Sequence, residues 1–124
     1  MPYISAKDDR REKLRNGEPA LLAGELNYQI FYYVKHCYIG RRVEEILSIP
    51  SMTSKIKEFV KQFLGEKPNY QRYNDMTGAL IRCYVEIKRR LSVDADILLE
   101  IAGSYDDEIA KYEDEKIISN GDVE

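Results

Sequence analysis

Apolar residues recur along the chain at spacings of three and four, the period that keeps side chains on one face of an α-helix, and no strand-type alternation runs beyond a few residues. The clearest run is Tyr73, Met76, Leu80, Tyr84, Ile87 and Leu91, which predicts a long central helix from Tyr70 onward. Ahead of it, Leu22, Leu26, Ile30, Tyr33 and Cys37 predict a helix opened by Pro19 and ending near Gly40. Ile56, Phe59, Val60 and Phe63 predict another, capped by Ser51, Thr53 or Ser54 and ended by Gly65 and Pro68. A short helix is expected over 41–48, closed before Pro50 because the residue preceding a proline avoids helical geometry. After Ser92 and Asp94, which read as caps, Leu98, Ala102, Tyr105, Ile109 and Tyr112 predict one last helix stopped at Asn120-Gly121.

Residues 7–15, following Ser5, predict a further helix stopped by Gly17, but only Ile4 and Leu14 ask for burial there. It is expected to be a charged arm, loosely docked or packed on another subunit. The expected fold is therefore all-α, a bundle of four main helices with a short N-terminal helical arm and antiparallel neighbours. One domain is expected over 1–124, divided into the arm (1–17), the bundle (19–119) and a tail (120–124).

Composition agrees with a folded domain: 44% of the 124 residues are hydrophobic and 33% charged, enough apolar material for one core. No apolar run reaches the roughly 18 residues that a bilayer demands, and the charged start with Lys7, Arg10 and Arg11 lacks the apolar segment of a signal peptide. A cytoplasmic protein without a membrane partner is expected. Cys37 and Cys83 both fall in helical stretches and are expected to be reduced core thiols. Charge is unevenly spread: residues 1–93 carry 17 Lys and Arg against 11 Asp and Glu, whereas residues 94–124 carry 2 against 11. Such an acidic end calls for a basic counterpart in the same chain or a second copy, or for a solvated helix face.

Several groups are candidates for chemistry. Asp106 with Glu113 and Asp107 with Asp114 lie two turns apart, and Glu25 is the obvious carboxylate on another helix. Converging carboxylates hold Mg²⁺, which raises a Mg²⁺-dependent nucleotide hydrolase as one alternative; with Lys111 and Lys116 interleaved, the same residues also read as a solvated face. His36 shares a polar stripe with Glu25, Gln29 and Tyr32, suited to a pocket, an interface or a wetted helix edge. No metal-ligand spacing, nucleophile elbow or phosphate-cradling glycine loop occurs, so neither a metal site nor a cofactor is expected. Ten tyrosines and no tryptophan, with Tyr28, Tyr32, Tyr33 and Tyr38 on one helix and Tyr70, Tyr73 and Tyr84 on another, suit an interface, a nucleobase or the edge of a thin core. The arm's Lys7, Arg10, Arg11, Lys13 and Arg15 are diluted by Asp8, Asp9 and Glu12, which argues against nucleic-acid binding. Glu25, flanked by Leu22, Leu26 and Ile30, is expected to be partly desolvated and paired with Arg82, Arg89, Arg90 or Lys116.

Three tracts, Met1-Pro2-Tyr3-Ile4, Gly24-Glu25-Leu26-Asn27-Tyr28, and Tyr112-Glu113-Asp114-Glu115-Lys116-Ile117 followed by Asn120-Gly121-Asp122-Val123, resemble the pattern of a family of small bacterial and phage proteins of unknown function. Tyr73-Asn74-Asp75, Gly78-Ala79-Leu80, Glu86, Arg89 and Arg90 extend the likeness to about half of the chain, which differs from the pattern by extra residues between Arg90 and Tyr112. The resemblance implies no activity, only a phage relation. With the Glu25 pairing, these tracts supply the expected ligand or interface residues: Glu25, Asn27, Tyr28, Tyr73, Asn74, Asp75, Arg82, Arg89, Arg90, Tyr112, Glu113, Asp114 and Lys116. The leading expectation is a non-enzymatic binding or assembly protein that associates with itself. A protein that sequesters a small nucleotide signal is the other alternative.

Overall fold

The computed structural model describes residue 4 and residues 9–38, 50–92 and 94–121. Among them are six helices and no strand, so the chain is all-α. They are α1 (Asp9–Arg15), α2 (Ala23–Tyr38), α3 (Pro50–Leu64), α4 (Tyr70–Leu91), α5 (Asp96–Gly103) and α6 (Asp106–Asn120). The helix expected over 41–48 lies outside the described residues.

Helix α4 is the spine, and its widest contact is with α2. Its predicted stripe is realised, with Tyr73, Met76, Leu80 and Ile87 buried together with Ala79 and Cys83. Ile56, Val60 and Phe63 of α3, Leu26, Ile30 and Val34 of α2, and Leu98 and Ile101 of α5 close the core around it. Asn69 caps α4 by accepting a hydrogen bond from the Arg72 amide at 2.8 Å, and Ser92 ends it in the left-handed region at φ 55°. Ser92 thus closes one helix rather than opening the next. Asp94, the other expected cap, does serve α5, accepting from the Asp96 amide at 2.9 Å.

Four further expectations are corrected. Helix α2 begins at Ala23 and not at Pro19, so Leu22 precedes the helix and stands 66% exposed. The start is fixed by Glu25, whose carboxylate reaches back to the Leu21 and Leu22 amides at 2.8 and 3.3 Å, the acidic half of a capping box. Helix α3 starts at Pro50 itself, whose missing N–H costs nothing in a first turn, so Ser51, Thr53 and Ser54 lie inside the helix. The single last helix is two: α5 stops at Gly103, where the Ser104 amide reaches both Glu100 O and Ile101 O and its hydroxyl bonds Ile101 O at 2.6 Å. This tightening turns the chain, and α6 restarts three residues later.

The arm is the fourth correction, because it is firmly docked. Leu14 is 1% exposed and Ile4 is buried, while Arg11 Nε donates to Ile4 O at 2.9 Å. Arg10 clasps Glu25 with two bonds, Nε to Oε2 at 2.8 Å and Nη2 to Oε1 at 3.0 Å, and also reaches Glu18 and Pro19 O. The partner of Glu25 is therefore an arginine, as expected, but it comes from α1; Arg82 and Arg89 are exposed on α4, and Arg90 pairs with Glu86 at 3.4 Å. At the far end, Tyr112 donates to Pro68 O at 2.9 Å and packs beside Tyr73, beyond which every described side chain of α6 is exposed.

Cys83 is a free thiol with no exposed surface, its Sγ 3.8 Å from Asn27 O, and burial raises its pKa far above the ordinary thiol value. The side chain of Cys37 lies outside the described residues. No described helix is long and apolar enough to cross a membrane.

Candidate ligand-binding cleft

Of the polar stripe of α2, Gln29, Tyr32 and His36 line a cavity and Glu25 does not. Gln29, Tyr32 and His36 form one wall of a cleft of about 470 Å³, Lys55 and Phe59 of α3 another, and Glu12, Arg15, Asn16 and Gly17 the rim. Gly17, at φ 95°, makes the turn out of α1, and a side chain there would meet open space, so nothing crowds that part of the rim.

Gln29 is the buried polar residue of the lining, at 2% exposure. Its Nε2 donates to Leu14 O and to Glu18 O, both at 2.9 Å. Both amide hydrogens are thereby used, and turning the amide over would set its oxygen against two carbonyl oxygens, so the orientation is fixed. Oε1 is left buried without a hydrogen-bond partner, the one such described side-chain atom. An orphaned acceptor of this kind costs roughly 1–3 kcal/mol until a donor reaches it.

The outer part of the cleft is aromatic and cationic. Tyr28, Tyr32 and His36, four residues apart on α2, stack in sequence with ring centroids 6.1 and 5.4 Å apart. Arg15 holds its guanidinium 4.5 Å from the Tyr32 centroid while Nε donates to the Tyr28 hydroxyl at 2.7 Å. On α3, Lys55 lies over the Phe59 ring and 3.7 Å from Glu58, and Phe59 meets Tyr33 edge-on. Arg15, Lys55 and His36 thus face a single acidic group of the rim, Glu12.

The residues named from the sequence are placed elsewhere and in different surroundings. Glu25 is committed to Arg10 and to two amides, and these donors hold its carboxyl below the ordinary glutamate range against the opposing effect of burial. Asn27 is buried against Cys83, and Tyr28 borders the cleft through its stack with Tyr32. Tyr73 and Tyr112 meet beside Tyr105; Asn74 is exposed, and Asp75 accepts from Gln71 at 2.9 Å. Arg90 lies over the Phe31 ring, whereas Arg82, Arg89, Glu113, Asp114 and Lys116 are exposed. The four carboxylates Asp106, Asp107, Glu113 and Asp114 are all exposed, and among the described residues no three His, Cys, Asp or Glu side chains gather closely enough to hold a metal ion.

The sequence marks Phe59 only as core and Arg15 only as one of the arm's cations, and it gives Lys55 no site role. Lys55 and Arg15 belong to charged stretches with no local signal, and only docking of α1 and α3 on α2 brings them to one cavity. No family model, curated protein or solved structure matches this chain.

Proposed function

We propose that this chain is a non-enzymatic binding protein that takes a small molecule into the cleft between α1, α2 and α3. The observation that carries the proposal is a cavity of small-ligand size with cations, aromatic rings and the buried amide of Gln29, whose oxygen has no partner, among its lining residues. A thermal-shift panel of nucleotides, sugar phosphates, amino acids and dicarboxylates tests it. A ligand present at 100 times its Kd contributes about 2.7 kcal/mol, which raises Tm by several degrees for a domain of this size. At least one class should do so, and the shift should shrink in Tyr32→Leu. Unmoved melting curves across the panel would overturn the proposal.

A second function, compatible with the first, is self-association through α6. Its last eight residues are exposed, with Ile118 84% and Ile117 44% exposed beside Glu113, Asp114 and Glu115. The occupant is the basic outer face of α4 in a second copy, where exposed Arg82 and Arg89 accompany Ile81 and Val85 at 45% and 42% exposure. Sedimentation velocity at micromolar protein should show an assembly in 50 mM salt that dissociates in 500 mM salt, and Ile118→Asp should abolish it. A monomer in low salt would remove this function.

A further inference from the structure

Two cations reach the cleft from different helices, Arg15 from the end of α1 and Lys55 from α3. Aromatic rings hold both in place: Arg15 lies over Tyr32 and gives Nε to the Tyr28 hydroxyl, and Lys55 Nζ lies 5.2 Å from the Phe59 centroid. Each is thus partly ordered before a ligand arrives, which removes part of the entropic cost of binding. Both retain unused donors. The Tyr28 hydroxyl occupies the Nε edge of Arg15, which excludes the side-on clasp that Arg10 makes with Glu25. What remains is the end-on pair, Nη1 and Nη2, without a hydrogen-bond partner among the described residues. Lys55 Nζ is 3.7 Å from Glu58, an ion pair too long for a hydrogen bond. Glu12 is the one carboxylate among the described residues of the lining.

We infer that the ligand is a small dicarboxylate that bridges the cleft, with one carboxylate on the end-on fork of Arg15 and the other at Lys55. The inference rests on the cleft being the binding site proposed above. A planar guanidinium fork matches a carboxylate with two parallel hydrogen bonds, whereas the ammonium of Lys55 acts as a point charge and takes an anionic oxygen from many directions. A monoanion satisfies one of the two cations and leaves the other. A phosphate monoester carries both charges on one group and has the same shortcoming. The ligand meets the nitrogen atoms of Arg15 and Lys55 and leaves their contacts with the Tyr32 and Phe59 rings intact, so neither ring has to be uncovered. Glu58 competes for Lys55 from outside the lining.

Isothermal titration of the full chain with malonate, succinate, glutarate and adipate tests this, with butyrate as the one-ended control and glycerol phosphate as the compact dianion. One dicarboxylate should bind about tenfold or more tightly than butyrate, since a second charge-assisted contact is of that size. Affinity should also pass through an optimum along the series, because a bridge works best when its length matches the span. Arg15→Gln should weaken the best ligand about tenfold, and Arg15→Lys, which keeps the charge without the fork, about threefold or more. Glu58→Gln releases Lys55 and should tighten binding about threefold, a gain that a damaged fold does not give. Butyrate binding as tightly as the best dicarboxylate, or affinity indifferent to chain length, would overturn the bridge. Unchanged affinity in Arg15→Gln would overturn the fork, and no gain in Glu58→Gln would overturn the role of Lys55. Glycerol phosphate binding more tightly than every dicarboxylate would overturn the ligand class. If no dicarboxylate binds while another compound of the thermal panel does, this inference fails and the small-ligand function stands. If nothing binds, both fail.

Discussion

Arg72→Ala should cost about 4 kcal/mol of folding stability. Arg72 sits in the first turn of α4, and its guanidinium donates to three main-chain carbonyls: Nε to Phe63 O at 2.8 Å, Nη2 to Ala20 O at 3.3 Å, and Nη1 to Leu21 O. It also lies 3.7 Å from the centre of the Phe63 ring. The side chain therefore ties the end of α3 and the segment leading into α2 to the start of α4. A hydrogen bond from a charged donor contributes about 1.5–3 kcal/mol and a cation over a ring about 1 kcal/mol, while water takes over part of what the exposed carbonyls lose. Lysine keeps the charge but not the planar fork, so Arg72→Lys should lose about 2 kcal/mol. Urea unfolding followed by far-UV circular dichroism measures both, with the exposed Arg82→Ala expected to change stability by less than about 0.5 kcal/mol. An Arg72→Ala midpoint equal to that of Arg82→Ala would show the three bonds to be idle.

Glu25→Ala should cost about 3 kcal/mol. Two contributions sum to this: the bidentate bond to Arg10, at about 1.5–3 kcal/mol, and the amide contacts that start α2, at about 1 kcal/mol. Arg10 keeps Glu18 and Pro19 O in the variant, which holds the loss below that of a fully buried pair. The same site gives a pH dependence with a definite sign. Arg10 foremost lowers the folded pKa of Glu25 below its ordinary 4.5. A depressed carboxyl pKa stabilises the fold fully above the unfolded value, and that contribution is lost as pH falls through the folded value. The stability difference between the parent and Glu25→Gln should therefore be largest near neutral pH and shrink below about pH 4.5. A difference constant from pH 7 to pH 3 would contradict the clasp.

How much of this was legible beforehand depends on the kind of bond concerned. Burial of Met76, Leu80 and Ile87, and of Ile56, Val60 and Phe63, follows from helical period alone, because packing of an amphipathic face needs only the right residues in the right phase. Period is blind to a short interruption that preserves phase. The stripe Leu98, Ala102, Tyr105, Ile109, Tyr112 runs on through the turn at Ser104, so α5 and α6 read as one helix. Burial of the arm was anticipated at Ile4 and Leu14, but its firm attachment was not, because two apolar residues count for less than the polar bonds of Arg10, Arg11 and Gln29. For the cleft, the polar stripe of Gln29, Tyr32 and His36 was visible as a stripe. Its partners Arg15 and Lys55 were not, since their meeting depends on how three helices dock.

Arg72 and Gln29 have one property in common that bears on how this chain can vary. Each binds main-chain carbonyls, of Phe63, Ala20 and Leu21 in one case and of Leu14 and Glu18 in the other. A carbonyl oxygen is offered by every amino acid, so these bonds impose no side-chain identity on their acceptors. Exposed positions such as Glu18 and Leu21 are free to drift as far as the bonds are concerned, and the whole constraint falls on one arginine and one glutamine. Paired substitutions, the usual trace that two distant positions touch, would not arise between Arg72 and Leu21 or between Gln29 and Glu18. The joints that fasten the arm and the start of α2 to the rest of the fold would thus leave single invariant residues in place of correlated pairs.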